Sequence, residues 1–166
     1  MTRRPLAAIA VAVLILSGMT FQYAHAAITK PPKSYLRDGD RRLQRGKLGS
    51  YCWVSGNQGV CVDALPSWPK AARVRADEKL RMRFRKKQKP KLSLTTYKKV
   101  KKNGIPKGQG RRLHHKLRRV KEAGETIAWK ATFTLERPGR HYYISAFARW
   151  DEGDASYFFH VRTRRA

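Results

Sequence analysis

The sequence predicts an all-β protein: an immunoglobulin-like two-sheet antiparallel sandwich of about seven strands, carrying a basic loop or helix insertion. Three observations predict it. Leu48 to Asp63 has the spacing of a two-residue hairpin closed by its own two cysteines. Leu80-Arg-Met-Arg-Phe-Arg85 alternates apolar and cationic residues without a break. From Ile127 to Thr163, three alternating runs are separated by the turns Arg137-Pro-Gly-Arg140 and Asp151-Glu-Gly-Asp154. Period-two alternation puts one face of each run in a core and the other in water. Several such strands joined by short turns build two packed antiparallel sheets.

In chain order, residues 1–26 read as an export signal. Arg3 and Arg4 form a short positive region, Leu6 to Met19 an apolar run, and Ala24-His25-Ala26 a small-residue cleavage site. The apolar run is short for a membrane span, which needs about 20 residues; an uncleaved anchor is the alternative. Cleavage near Ala26 places the remaining chain in an extracellular, cell-surface or periplasmic space, where a disulfide persists. Residues 27–46, with Pro31-Pro32 and an Asp38-Gly39-Asp40 turn signal, read as a basic linker that Leu36 and Leu43 tack onto the domain. The domain itself is expected over residues 47–166.

The cysteine hairpin is argued from geometry. Gly56-Asn57 suits a primed turn, since glycine adopts positive φ without strain and asparagine tolerates it. Counting outward pairs Ser55 with Gln58, Val54 with Gly59, Trp53 with Val60, and Cys52 with Cys61. The last pair falls where strands approach to about 4.5 Å, close enough for a bridge. A buried, reduced pair is the competing reading. Trp53 alternates to the face opposite the cysteines, towards a core.

Leu65-Pro-Ser-Trp-Pro69 reads as a proline-punctuated crossing whose Trp68 either closes one end of the core or waits for a ligand. Leu80, Met82 and Phe84 then face inward, and Arg81, Arg83 and Arg85 outward. Leu92 to Tyr97 begins the next strand. The basic insertion spans about residues 98–125: Lys98 to Gly110 is glycine- and lysine-rich loop chemistry, expected to be exposed and mobile. Leu113, Leu117 and Val120 lie at i, i+4 and i+7, which fits a short amphipathic helix ended by Gly124; the alternative is a strand forced by its neighbours.

Gly49-Ser-Tyr-Cys-Trp53 with Cys61-Val-Asp63, and Trp150 followed by Gly153-Asp-Ala-Ser-Tyr157, resemble a group of small exported bacterial proteins of unassigned activity. These carry a G-S-Y-C-W…C-x-D hairpin and a C-terminal W-x-x-G-D-x-S-Y hairpin. The resemblance implies an exported, mostly β domain and no particular reaction.

The charge narrows function further. The chain holds 38 Lys+Arg against 11 Asp+Glu, a formal net charge of +27. Lys70 to Lys121 carries 22 of those cations against Asp77 and Glu78 alone. The acids sit mostly in turns, and no pair is placed to tune one carboxylate against another. Asp151, Glu152 and Asp154 lack the spacing of a calcium loop, and His114-His115 diverge on helix or strand, so neither a metal nor any other cofactor is expected. An enzyme is not predicted. The candidate binding residues are Arg81, Arg83 and Arg85, about 7 Å apart along one strand face, with Lys99, Lys101, Lys102, Arg111, Arg112, Arg118 and Arg119. Their partner is expected to be an anionic cell-envelope polymer or anionic lipid, with nonspecific nucleic-acid binding in vitro. Aromatic residues barely interleave with these charges, against base stacking. The alternative is a module for a protein partner, an inhibitor or assembly factor docking through Ile105 or Trp68, with the charge only a surface adaptation.

Overall fold

A computed structural model describes residues 30–165. The expected signal, residues 1–26, and its cleavage site lie outside the described residues. Fourteen strands follow in order: β1 (Ser34–Asp38), β2 (Arg41–Arg45), β3 (Lys47–Ser55), β4 (Gln58–Val62), β5 (Ala72–Arg75), β6 (Leu80–Phe84) and β7 (Lys91–Tyr97). Then come β8 (Lys99–Val100), β9 (Pro106–Lys107), β10 (Arg111–Arg112), β11 (Lys116–Glu122), β12 (Glu125–Phe133), β13 (His141–Trp150) and β14 (Gly153–Arg164). A five-stranded sheet runs β11-β12-β6-β1-β2. A seven-stranded sheet runs β10-β7-β13-β14-β3-β4, with β5 added to β14 in parallel; β8 and β9 form a small separate hairpin. The expectation of a two-sheet, antiparallel all-β protein holds at this level, with about twice the expected number of strands.

The alternation arguments explain the core. Leu80, Met82 and Phe84 of β6 are fully buried, as are Ile144, Ala146 and Ala148 of β13 and Phe159 and Val161 of β14. Phe84 packs edge-on to Trp150 and Tyr157, with centroids 5.9 and 5.7 Å away, and Trp53 packs on Trp150 at 5.6 Å. The cysteine hairpin forms in the counted register, with Cys52 opposite and bonded to Cys61 and their Cα atoms 4.0 Å apart. Gly56 turns it at φ 59°. Gly153, at φ 143°, lets β14 start hard against β3: a Cβ there would collide with the Cys52 carbonyl.

The basic linker is corrected. From Ser34 onward it is two strands, and β1 lies in the sheet beside β6, pairing Leu36 with Met82 and Ser34 with Phe84. Leu36 is fully buried, and the Tyr157 hydroxyl donates to the Pro32 carbonyl at 2.6 Å, fixing the entry. Once β6 presents an unpaired backbone edge, a short polar segment with one well-placed leucine is enough to complete it.

The insertion is corrected too. Of the two alternatives for Leu113 to Val120, the strand forms: β11 pairs with β12, placing Leu117 opposite Ala131. Through β10 and β11 the segment supplies the edge strand of both sheets. Lys98 to Gly110 is mostly exposed, as expected, and Trp68 Nε1 donates to the Gly104 carbonyl at 2.7 Å. Trp68 neither closes the core nor stands free; it packs on Tyr143 and Phe158, centroids 5.2 and 4.9 Å away, on the outer side of the larger sheet.

Leu36→Ala is predicted to cost about 2–5 kcal/mol in chemical denaturation, the range for deleting a buried leucine. A change within about 0.5 kcal/mol would mean that residues 34–45 are only tacked on.

Candidate anion-binding face

Because β6 alternates, burying Leu80, Met82 and Phe84 forces Arg81 and Arg83 to the outer side of the five-stranded sheet. The strand registers decide what lies beside them. Arg81 is opposite Thr132 on β12 and Arg37 on β1; Thr132 is opposite Lys116 on β11, and Arg37 opposite Arg42 on β2. Arg83 is opposite Lys130 and Tyr35; beyond them lie Arg118 and Arg45. Two cross-strand rows thus run across all five strands, and of ten positions eight are cationic. The exceptions are Thr132 and Tyr35, and the Arg42 guanidinium sits 4.3 Å from the Tyr35 ring centroid. At about 4.8 Å between strands and about 7 Å between rows, the face is about 19 Å wide.

Among the described residues no carboxylate pairs with these rows. The ion pairs there are Arg41–Asp38, Arg75–Glu78, Lys86–Glu152, Lys87–Glu125 and Arg149–Asp154. All of these lie outside the two rows. Arg83 goes further: its Nε is buried and has no hydrogen-bond partner among the described residues. A buried guanidinium N–H left unsatisfied is costly unless a ligand or water takes it.

At the β11 end the face dips into an open groove of about 610 Å³. Arg81, Lys116, Arg118 and Lys130 line it with Thr132 and Thr134; Lys79 and the His114-His115 connection complete the walls. His115 Nδ1 donates to the Leu113 carbonyl at 3.3 Å, since a carbonyl can only accept.

The structure therefore gathers Arg81, Arg83 and Arg118 and separates the rest of the expected set. Arg85 follows β6 and is exposed, its backbone N–H donating to the Lys33 carbonyl at 3.5 Å. Arg119 pairs opposite Trp129, on the alternate side of β11 from Arg118. Arg111 and Arg112 pair with Thr96 and Thr95 at the edge of the other sheet. Lys99 lies in the small β8–β9 hairpin, and Lys101 and Lys102 in its loop. Missing from the expected set were Arg37, Arg42, Arg45, Lys116 and Lys130. Lys130 carried a readable signal, alternating outward between Trp129 and Ala131; which sheet it joined did not.

The opposite outer surface is built differently. There Trp68, Tyr143 and Phe158 form an aromatic layer, and His160 stacks on Tyr143 at 4.2 Å. His160 Nδ1 lies 3.3 Å from the Pro69 carbonyl and its Nε2 2.9 Å from His141 Nδ1. A carbonyl accepts, so His160 donates to Pro69 and accepts from His141. Burial lowers the His160 pKa below the ordinary histidine value, and the neighbouring His141 adds to this, against the opposing Pro69 hydrogen bond. At the sheet end, the Lys86 ammonium, 2.7 Å from Glu152 Oε1, holds the Glu152 carboxyl below its usual range. Among the described residues no three of His, Cys, Asp and Glu gather to hold a metal.

The chain matches no protein-family model, no curated protein and no solved structure.

Because the folded His160 titrates below the unfolded one, its contribution is complete above about pH 6.5 and is lost as pH falls through the lowered value. Denaturation midpoints should therefore fall between pH 7.5 and 5.5, and the fall should shrink in His160→Gln. An equal fall in both proteins would contradict this assignment. Glu152 acts in a separate window, below about pH 4.5.

Proposed function

We propose that this is a non-enzymatic, exported domain that holds an anionic cell-envelope polymer or membrane surface against the outer face of its five-stranded sheet. One observation carries the reading: eight cations in two register-fixed rows, with no carboxylate at any of the ten positions. Concentrating like charges on one face costs self-repulsion that a folded protein otherwise relieves by interspersing acids. A polyanion removes that cost and releases its own counterions. The face spans five strands, wide enough for a repeating ligand. An exported location fits the exposed Cys52–Cys61 bridge, which an oxidising space preserves.

The protein-partner alternative loses one of its residues. Trp68 is engaged by Gly104, Tyr143 and Phe158, although Ile105 stays 37% exposed.

In a salt series with anionic vesicles, each cation near the surface contributes about 1 kcal/mol, so Arg81→Gln/Arg83→Gln/Lys130→Gln should weaken binding on the order of 100-fold. The matched change Lys99→Gln/Lys101→Gln/Lys102→Gln should leave most affinity in place. With duplex DNA as a nonspecific probe, the face variant should lower the salt slope by about one for each phosphate it no longer neutralises. Equal losses in the two variants would refute a located face.

A further inference from the structure

The groove at the β11 end differs from the rest of the face in shape and in chemistry. The rest of the two rows, Arg37, Arg42, Arg45, Arg83 and Tyr35, does not line it. Here the sheet and the His114-His115 connection line an open concavity, and donors come from three adjacent strands: Lys116 and Arg118 from β11, Lys130 and Thr132 from β12, Arg81 from β6. Strands are about 4.8 Å apart, and lysine and arginine side chains easily span that, so donors on the outer two can meet over the middle one. A carboxylate offers two oxygens and one charge to such a set. A phosphoryl group offers three oxygens and up to two charges, and guanidinium forks match its edges.

We propose that this groove is a site for a terminal phosphoryl group, inorganic phosphate or a phosphomonoester. The proposal rests on reading the face as anion-binding and adds a discrete, saturable anchor to it. His115 supplies the selectivity. With Nδ1–H given to the Leu113 carbonyl, its Nε2 is an acceptor in a groove that also holds five cations, Phe133 and the hydroxyls of Thr132 and Thr134, which can turn to donate or accept. Hydrogenphosphate carries a proton that an acceptor can receive; sulfate, of similar shape and charge, carries none. An acceptor held in place by the Leu113 contact therefore favours phosphate over sulfate, a preference that the cations alone do not supply.

The test is calorimetric titration of the protein with inorganic phosphate and, separately, sulfate at neutral pH and physiological salt. Phosphate is expected to saturate one site and to bind more tightly than sulfate. Lys130→Gln should weaken phosphate about tenfold or more, the loss expected for a hydrogen bond to a charged group. Arg42→Gln, on the same face but outside the groove, should change it less than about twofold. His115→Phe should leave both anions bound with the preference gone. Unsaturable binding, equal affinity for the two anions in the unmodified protein, or an Arg42→Gln loss equal to that of Lys130→Gln would each overturn the site. Any of those results with vesicle binding intact leaves the broader face standing; saturable phosphate with no vesicle binding refutes the polymer reading alone.

Discussion

The strand β6 is the constraint on which the molecule turns. It is the middle of the five-stranded sheet, and its five residues alternate without exception. One side delivers Leu80, Met82 and Phe84 to the core, where Phe84 meets Trp150 and Tyr157. The other side must then present Arg81 and Arg83, because a strand cannot turn one residue without turning the next. Burial of three apolar side chains, each contributing about 1.5–3 kcal/mol, therefore holds two cations in fixed positions. The pairing of β12 and β1 to either side transmits the same phase, and the two charged rows follow from it.

The two outer surfaces show what the chain does with a sheet face that it does not bury in the central core. On the larger sheet it lays the Leu65 to Pro69 crossing and the β8–β9 hairpin across the strands, and Trp68 joins them to Tyr143 and Phe158. On the smaller sheet, among the described residues, no comparable layer of aromatics crosses the two rows. Cations spaced this way repel one another, and salt at physiological strength screens that repulsion beyond about 8 Å without abolishing it between neighbours. Fold stability gains nothing from that repulsion, and under the proposed function an oppositely charged partner relieves it.

What was legible in the sequence was local. The hairpin register from Ser55 to Cys52, the inward set of β6 and the inward set of β13 all depend on side-chain alternation within a few residues, and each follows from spacing. What was not legible depends on which strands become neighbours. Residues 34–45 contain only Leu36 and Leu43 as aliphatic guides, so their strands are created by the edge of β6 rather than by their own pattern. Leu113, Leu117 and Val120 carry the helical spacing i, i+4, i+7, and only pairing with β12 makes the segment a strand, which sends Val120 to the side opposite Leu117. The site failed to appear for the same reason. The count of charge pointed to the middle of the chain, yet Arg37, Arg42 and Arg45 come from its beginning and Lys130 from its last third. Sequence neighbours Arg118 and Arg119 are sent to opposite sides, while Arg83 and Lys130, far apart in sequence, become a cross-strand pair.

Strand register concentrates charge on one face, and the proposal is that this face receives the ligand. It is tested most directly by following backbone and arginine side-chain resonances of the labelled protein during titration with anionic vesicles or an anionic wall polymer at physiological salt. Arg37, Arg81, Arg83, Arg118 and Lys130 are expected to shift or broaden first and together, while Lys99, Lys101, Lys102, Arg111 and Arg112 hold their positions. Perturbation centred on that second group, or spread evenly over all cations, would contradict it.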